Sequence, residues 1–307
     1  MSLHHDPRWP RASAWLAGDC LPNAVGAIHV LGVPIAKGSI TPGRCDPAPA
    51  AIRKALERFS TYDLDCDRDL RLLHANDKGD LPVSGMTPEQ AFQPVSEAVA
   101  RNVETAAALV LLGGDNSITG PGCHGLGVPL ARCGLLTLDA HLDLRDIEGG
   151  LTNGNPVRAL LQDGLPGDHI FQIGIQPFAN SAAYARVARE AGIHIVTADC
   201  VAERGAAAAV REALEYLDER VVRIYVDLDL DVLDRVYAPA TPGSRPGGLA
   251  PRLVRRAAHL CGAHPKVRVL DLVEMDPTND IADATALAGA ACLLEFASGV
   301  LGRFTRV

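Results

Sequence analysis

Short apolar runs alternate along this chain with longer stretches rich in Ala, Leu, Arg and Glu. The short runs have the length of buried strands, and the stretches between them have the length of helices. Parallel strands joined by crossover helices produce this alternation, because the helices cover both faces of the sheet. The sequence therefore predicts an α/β protein. The predicted strands are residues 27–33, 108–112, 134–138, 169–173, 192–197, 223–228 and 267–272.

The whole chain is predicted to form one catalytic domain, residues 1–307, in which residues 1–25 are an N-terminal extension. Neither an internal repeat nor a low-complexity linker divides it. The Pro- and Gly-rich stretches 32–49 and 238–251 lie between a predicted strand and a predicted helix, so we interpret them as long functional loops. The predicted helices are residues 48–59, 87–105, 181–190, 204–217, 252–260 and 284–296.

Composition excludes several classes of function. The 307 residues are 48% hydrophobic and 21% charged, the balance of a compact protein that folds in water. A net charge of −8, without a cluster of basic residues, argues against a nucleic-acid partner. Eight cysteines without a CxxC pair predict reduced thiols. With no signal-peptide pattern and no apolar run of membrane-spanning length, we expect a cytoplasmic protein that acts on a small molecule and does not bind membranes.

Polar residues follow four of the predicted strands, where ligands bind in an open parallel sheet. The segments are Gly113-Gly114-Asp115-Asn116-Ser117, Asp139-Ala140-His141-Leu142-Asp143, Asp229-Leu230-Asp231 and, after the last strand, Glu274. A lone Gly-Gly-Asp is usually a turn, and a lone Asp-x-Asp is usually a solvated strand end. Asp-x-His-x-Asp has little reason to exist as packing. The three segments together therefore favour a functional site.

Residues two apart in extended backbone project to the same side, so Asp139, His141 and Asp143 can converge, and so can Asp229 and Asp231. Four carboxylates in a low-dielectric crevice repel unless they are protonated or neutralised by cations. Two divalent metals would neutralise them. Carboxylates with one imidazole and no thiolate favour Mn²⁺-like ions, and paired ions of this kind activate a water as nucleophile.

These segments resemble the signatures of the ureohydrolase family, which includes arginase, agmatinase, guanidinobutyrase and formimidoylglutamase. Further similar strings follow in order, and the resemblance extends over about residues 27–300: Ala238-Pro239-Ala240-Thr241, Gly247-Gly248-Leu249 and Val273-Glu274-Met275-Asp276-Pro277. The resemblance implies a three-layer α/β/α fold with an eight-stranded parallel sheet. It also implies two Mn²⁺ per subunit, a bridging hydroxide that attacks an amidine carbon, and a homo-oligomer, either a trimer or a hexamer.

The resemblance also implies a role for each site residue. Asp139 and Asp229 would bridge the two metals. Asp143 would complete the first site and pass a proton to the leaving nitrogen, and His141 with Asp231 would complete the second. Glu274 would pair with the cationic guanidinium or formimino group, because an anion is needed there.

Three positions depart from the usual family pattern. Asn116 replaces the first-site histidine, so it would offer a neutral oxygen ligand and a weaker site. Asn153 stands where arginases and agmatinases carry a proton-shuttling histidine. Asp227 stands where many members carry serine, and we interpret it as a hydrogen-bond acceptor behind the metal ligands.

These departures favour the formimidoylglutamase branch, and so do the strings Asp143-Leu144-Arg145 and Gln172-Ile173-Gly174-Ile175. The predicted reaction is hydrolysis of N-formimino-L-glutamate to L-glutamate and formamide, in histidine breakdown. The candidates for binding the rest of this substrate are Arg145, Arg158, Arg245, Asn153 and Asn155. An arginine fork suits a carboxylate, although a surface ion pair is an equally good interpretation of each arginine.

Two alternatives remain open. The chain could be an agmatinase or a guanidino-acid ureohydrolase that releases urea. It could also be a catalytically inactive member retained as a binding protein, an idea suggested by Asn116 and Asn153 in place of two histidines. Against inactivity, the costly cluster of aspartates is intact, with His141.

Overall fold

A computed structural model of the protein describes residues 6–305. Its centre is an eight-stranded sheet in which every pair of neighbours is parallel, in the order β4-β1-β5-β10-β9-β6-β7-β8. The strands of this sheet are β1 Val25–Val33, β4 Leu73–Asp80, β5 Ala108–Gly113, β6 Cys133–Leu138, β7 Ile170–Ile175, β8 His194–Thr197, β9 Arg223–Asp229 and β10 Val267–Val273. A separate antiparallel hairpin consists of β2 Tyr62–Asp63 and β3 Arg68–Asp69.

Helices cover both faces of the sheet and complete the predicted three layers. They are α1 Ala12–Leu16, α2 Ala48–Ala55, α3 Pro88–Val103, α4 Thr119–His124, α5 Pro156–Gln162, α6 Ala182–Ala191, α7 Ala198–Arg204, α8 Ala206–Asp218, α9 Pro251–Ala263 and α10 Ala284–Gly302. One apolar cluster packs six helices on one face of the sheet: α1, α2, α7, α8, α9 and α10. A second cluster packs α3, α4, α5 and α6 on the opposite face.

Local signals in the sequence explain where several elements begin and end. All residues of β5, β6 and β7 are buried, as expected of central strands covered by helices on both faces. Thr87 and Gln90 form a capping box at the start of α3. Gly192 adopts a left-handed conformation that ends α6.

The seven strands predicted from apolar runs are all present, with small differences at their ends. The eighth, β4, was not found from the residues. It is an edge strand that pairs with β1 alone, and only Leu73 and Ala75 of its eight residues are buried. A strand that contributes so little to the core leaves no apolar run to detect.

The helix α10 is long and apolar enough to cross a membrane by length and composition, but most of it is buried against the rest of the domain. Part of the predicted N-terminal extension also packs into the domain. Trp15 of α1 is fully buried, and its indole Nε1 donates to the carbonyl oxygen of Leu73 at 2.9 Å. Residues 1–5 of that extension lie outside the described residues.

Candidate metal centre and active site

The four predicted polar segments meet at the carboxyl edge of four adjacent strands. The strands β5, β10, β9 and β6 are neighbours in the sheet, and the site residues leave their ends. Most of those residues line one cavity of about 380 Å³. They are His141, Asp143, Asp229, Asp231 and Glu274, together with Arg145, Asn153 and Arg245.

Three potential ligands lie close together at the floor of this cavity. The His141 Nδ1 atom is 2.9 Å from Asp231 Oδ2 and 3.5 Å from Asp139 Oδ1. One ligand atom from each of these residues lies within 4.8 Å of the others. Backbone N–H groups orient the carboxylates: the N–H of His141 donates to Asp139 Oδ1 at 2.6 Å, and that of Asp231 donates to Asp229 Oδ1 at 2.7 Å.

The cluster carries more negative charge than a buried site tolerates without a cation. Burial, with the charge of Asp231, raises the pKa of Asp139 to about 6. Burial and neighbouring carboxylates also raise the pKa values of Asp143 and Asp229 well above their usual range. Burial opposes protonation of His141, but the Asp231 and Asp139 carboxylates prevail and raise its pKa to about 11. The site therefore favours bound protons or metal ions.

The donor set fits divalent metal ions. Within residues 6–305, the buried Asp139 Oδ2 atom has no hydrogen-bond partner, so an oxygen remains available to a cation. Carboxylate oxygens with one imidazole suit Mn²⁺-type ions better than a structural zinc. Asp139, Asp143, Asp229 and Asp231 are all at least nine-tenths buried, as a water-excluding metal site requires.

Two site residues adopt the left-handed backbone conformation that non-glycine residues rarely occupy. Asp143 has φ 52° and Glu274 has φ 65°. Such a conformation costs roughly 1–3 kcal/mol and clusters at functional sites. The carboxylate of Glu274 accepts two hydrogen bonds on Oε1, from the Asn116 N–H at 2.7 Å and from Asn153 Nδ2 at 3.0 Å. Burial, with the charge of Asp115, raises the pKa of Glu274 to about 8.

Asn116 holds Asp143 and is itself held by Thr119. Its Nδ2 donates to Asp143 Oδ2 at 2.7 Å, and its Oδ1 accepts from Thr119 Oγ1 at 2.6 Å. The oxygen predicted as a metal ligand is thus engaged by a hydroxyl in this structure. Asn153 bridges a loop to the site, because its Oδ1 accepts from the Ile40 N–H at 3.0 Å while its Nδ2 holds Glu274.

The predicted substrate-binding residues divide into two groups. Arg145 and Arg245 line the cavity, and Arg245 Nη1 lies 2.7 Å from His141 Nε2. Arg158 and Asn155 do not line it. The structure contradicts substrate binding by Asn155: the residue is 1% exposed, and its amide binds Thr152, Asp146 and Gly150 in its own loop. Arg158 lies on α5, where its backbone N–H donates to the Asp143 carbonyl oxygen at 3.2 Å.

Two residues that hold the candidate site in place were not predicted from the sequence. Asn180 clamps the Asp139–Asp143 segment, since its Oδ1 accepts from the Leu142 N–H at 2.8 Å and its Nδ2 donates to the Ala140 carbonyl at 3.1 Å. Thr119 orients Asn116. Neither residue is an acid or belongs to the acidic segments that indicated the site in the sequence, apart from Thr119 lying close after Asn116.

Asp227 differs from its predicted role as a hydrogen-bond acceptor. It is fully buried beside Asp271, its register partner on β10. Burial and the charge of Asp271 raise the pKa of Asp227 well above its usual range. Among the described residues, neither oxygen of the Asp227 carboxyl group has a hydrogen-bond partner. Asp271 is the acceptor of the pair, because it receives hydrogen bonds from Tyr225 Oη at 2.7 Å and from the Leu228 N–H at 3.1 Å.

Known proteins are similar to this chain over almost its whole length. The model of the arginase family matches residues 26–298. Formimidoylglutamase of Halalkalibacterium halodurans is 36% identical over 281 residues, 90% of this chain and 88% of that protein. Guanidinopropionase of Pseudomonas aeruginosa is 32% identical over 293 residues, covering 87% and 85%. The crystal structure of Bacillus subtilis formimidoylglutamase has a TM-score of 0.89 at 29% identity, covering 97% of this chain and 94% of that one.

Proposed function

The chain belongs to the arginase family of amidinohydrolases, and we propose that it hydrolyses N-formimino-L-glutamate to L-glutamate and formamide. The observation that carries this proposal is the charge distribution of one cavity. Glu274 and the aspartate cluster line it together with Arg145 and Arg245. A substrate with one cationic amidine and two carboxylates complements these charges. The relatives named formimidoylglutamase support the same substrate.

In this proposal Glu274 holds the formimino group. Both protein hydrogen bonds to its carboxylate fall on Oε1, which leaves Oε2 to accept N–H donors from the substrate. A bound cation also favours the ionised form of this buried acid, whose pKa is otherwise about 8. The cationic formimino group of the substrate would thus neutralise the Glu274 carboxylate.

Asp143 carries the proton in the proposed reaction. Water adds through its oxygen to the formimino carbon, and the bond from that carbon to the glutamate nitrogen breaks. Asp143 takes a proton from the attacking water and returns it to the nitrogen, which leaves as the α-amine of glutamate. In the metal-free structure, Asn116 Nδ2 orients this carboxylate by its hydrogen bond to Asp143 Oδ2.

Two Mn²⁺ ions would be held by the buried acids, with Asp139 and Asp229 shared between them. Asp143 would serve the first site, and His141 with Asp231 the second. When bound, the ions would neutralise the carboxylates and lower the pKa of a water so that it becomes a nucleophile at neutral pH. A half-turn of the Asn116 amide would offer its oxygen to the first site and leave Nδ2 to donate to Thr119, so a weak ligand remains available there.

Arg145 and Arg245 would bind the substrate carboxylates. Arg145 is exposed on the cavity wall, and its stem runs beside Gly154. Arg245 is held by the Gly243 carbonyl at 2.9 Å, which keeps its guanidinium at the cavity mouth. Planar guanidinium groups bind carboxylates through two parallel hydrogen bonds, which gives orientation as well as affinity.

The test is product identity. Protein reconstituted with Mn²⁺ is incubated separately with N-formimino-L-glutamate, 3-guanidinopropionate, agmatine and arginine, and both formamide and urea are measured. Formamide from the first substrate, with little urea from the others, is the expected result. Absence of formamide from metal-loaded protein would refute the proposed substrate.

A guanidino acid is the second candidate, because the guanidinopropionase relative covers as much of the chain and the same arginines could bind its carboxylate. Urea from 3-guanidinopropionate alone would select this candidate. No product from any of the four compounds, with two Mn²⁺ shown to be bound, would favour an inactive binding protein.

We also propose that the protein is a cytoplasmic homo-oligomer, a trimer or a hexamer, as the family resemblance implies. Exposed apolar side chains support an interface, among them Trp9, Tyr62 and Leu64 around one cavity of about 370 Å³. Light scattering coupled to size-exclusion chromatography gives the mass of the particle. A monomer at micromolar concentration would reject this part of the proposal.

A further inference from the structure

A second group of metal-ligating side chains lies away from the active-site cavity. Asp63 ends β2, Cys66 lies in the turn of the β2–β3 hairpin, and His259 lies on α9. One ligand atom from each lies within 4.8 Å of the others. They line a different cavity, of about 420 Å³, which shares no residue with the active-site cavity.

The geometry points to a zinc site formed by Asp63, Cys66 and His259. Cys66 Sγ lies 3.9 Å from His259 Nε2. In a tetrahedral site with Zn–S of about 2.3 Å and Zn–N of about 2.0 Å, sulfur and nitrogen are roughly 3.5 Å apart. A shift of a few tenths of an ångström would therefore close this pair around the ion.

The surroundings of His259 support Nε2 as its ligand atom. The residue is 8% exposed, and among the described residues its buried Nδ1 has no hydrogen bond. The nearest carboxylate oxygen, Glu295 Oε2, lies 3.5 Å from that Nδ1. Histidine ligands characteristically donate their second ring N–H to a carboxylate, which fixes the tautomer. Closing this distance would give Nδ1 its hydrogen bond and direct Nε2 towards the metal.

Asp63 is held in place for the same task. The backbone N–H groups of Asp65 and Cys66 donate to its Oδ1 at 3.0 and 3.1 Å, and Ser298 of α10 donates to its Oδ2. Glu295 also accepts two hydrogen bonds from Arg255 on Oε1, at 2.6 and 3.1 Å, so Oε2 remains for His259. Side chains from α10 thus support the carboxylate ligand and the imidazole ligand.

The ligand types select the metal. A thiolate with an imidazole and one carboxylate suits Zn²⁺, whereas the active centre offers oxygens and one imidazole. The Cys66 proton is released to solvent when the ion binds. Three protein ligands leave a fourth position, which opens on the cavity that Arg252 and Arg256 also line and would hold water or a small anion. The ion would tie the β2–β3 hairpin to α9.

Cobalt absorption tests the site directly. Co²⁺ is added to the full-length, Mn²⁺-loaded protein, and the near-ultraviolet charge-transfer band of thiolate-bound Co²⁺ is recorded. One equivalent should develop the band in the wild type and in Cys200→Ser, a control at an exposed cysteine on α7. The band should be lost in Cys66→Ser. No band in the wild type, or an unchanged band in Cys66→Ser, would overturn the proposal.

X-ray absorption at the zinc edge tests it without a substitution, in case Cys66→Ser does not fold. Wild-type protein with one equivalent of Zn²⁺ should show a single sulfur neighbour at about 2.3 Å. A first shell of oxygen and nitrogen alone would reject the site. Hydrogen exchange of the amides in residues 62–69 should also slow on Zn²⁺ binding, and unchanged exchange would contradict the tie between hairpin and helix.

Discussion

At the scale of single residues, the amide of Asn116 offers both a hydrogen-bond donor and an acceptor to the candidate site. The amide of Asn116 holds Asp143 through Nδ2, and its Oδ1 accepts a hydrogen bond from Thr119. The sequence identified the position but not this arrangement, because neither Thr119 nor the direction of the amide can be read from a motif.

Asn116→His should tighten Mn²⁺ binding at the first site by about tenfold, the lower end of effects seen when residues around a bound metal change. An imidazole nitrogen is a stronger ligand for this type of ion than a neutral amide oxygen. Calorimetric titration of metal-free protein measures the affinity, with Asn23→His, at an exposed position before β1, as the control. Equal Mn²⁺ affinities in the wild type and the variant would remove Asn116 from the ligands.

Arg145→Met should raise the KM for N-formimino-L-glutamate by about ten- to a hundredfold and change kcat little, because a hydrogen bond between charged groups contributes roughly 1.5–3 kcal/mol. Steady-state kinetics separates the two constants. Arg158→Met is the matched control, since Arg158 does not line the cavity. An equal rise in KM in both variants would mean that the arginines act through general charge.

At the scale of elements, the loops after the strands position the proposed ligands. Glycines in these loops allow the backbone to approach the ligand side chains closely. In the loop between β9 and α9, a Cβ atom at Gly243 would lie 2.1 Å from Asp231 Oδ2 and 3.1 Å from His141 Cε1. The loop therefore passes directly against two of the proposed ligands. The sequence predicted residues 238–251 as a functional loop, but the contact itself depends on how the loop folds back.

Gly243→Ala should displace Asp231 and reduce Mn²⁺ affinity by about ten- to a hundredfold, as expected when the support of a metal ligand is lost. Gly149→Ala is the control, because a Cβ there meets nothing within 4 Å. Metal content after dialysis and the rate of amidine hydrolysis should both fall in the first variant only. Full metal retention in Gly243→Ala would show that the loop yields.

Elements with a strong apolar pattern or a dense chemical motif could be predicted from the sequence. Central strands such as β5 and the segment from Asp139 to Asp143 are of this kind. The sequence alone did not distinguish Asn153 from Asn155 as a site residue. The two lie two residues apart in one loop, and Asn153 is the one that contacts Glu274. Local sequence specifies that a loop is present, whereas the direction of each side chain depends on the segments packed against it.

At the scale of the whole molecule, the charge cluster links metal binding, pH and stability. In the metal-free fold Asp139 and Glu274 have pKa values of about 6 and 8, against ordinary values of 3.8 and 4.5. The folded state therefore holds protons that the unfolded chain has lost. His141 acts in the same direction above its ordinary value of 6.5, because its pKa is raised to about 11. The lowered pKa of Asp231 acts in the opposite direction only below about 3.8, and the lowered pKa values of His29 and His264 do so only below their ordinary value of 6.5.

Metal-free protein should consequently lose stability as the pH rises from about 6 to 8, since unfolding releases protons over that range. Mn²⁺ competes with those protons for the carboxylates, so it should bind more tightly as the pH rises. The rise in Tm that it produces should therefore be larger at about pH 8 than at about pH 6. Thermal unfolding with chelator and with Mn²⁺, at both pH values, measures this. A metal-free Tm that increases over this range would contradict the account.

The polar residues of β4, which left no apolar run in the sequence, also affect the solubility of the protein. An open sheet edge is a template on which another chain can add a strand and begin to aggregate. Along β4, Asp77 and Asp80 are tied to Arg53, and Lys78 stands between them. An incoming strand would have to strip water from these charges. The residues that contribute least to the core thus keep this edge of the sheet from recruiting other chains.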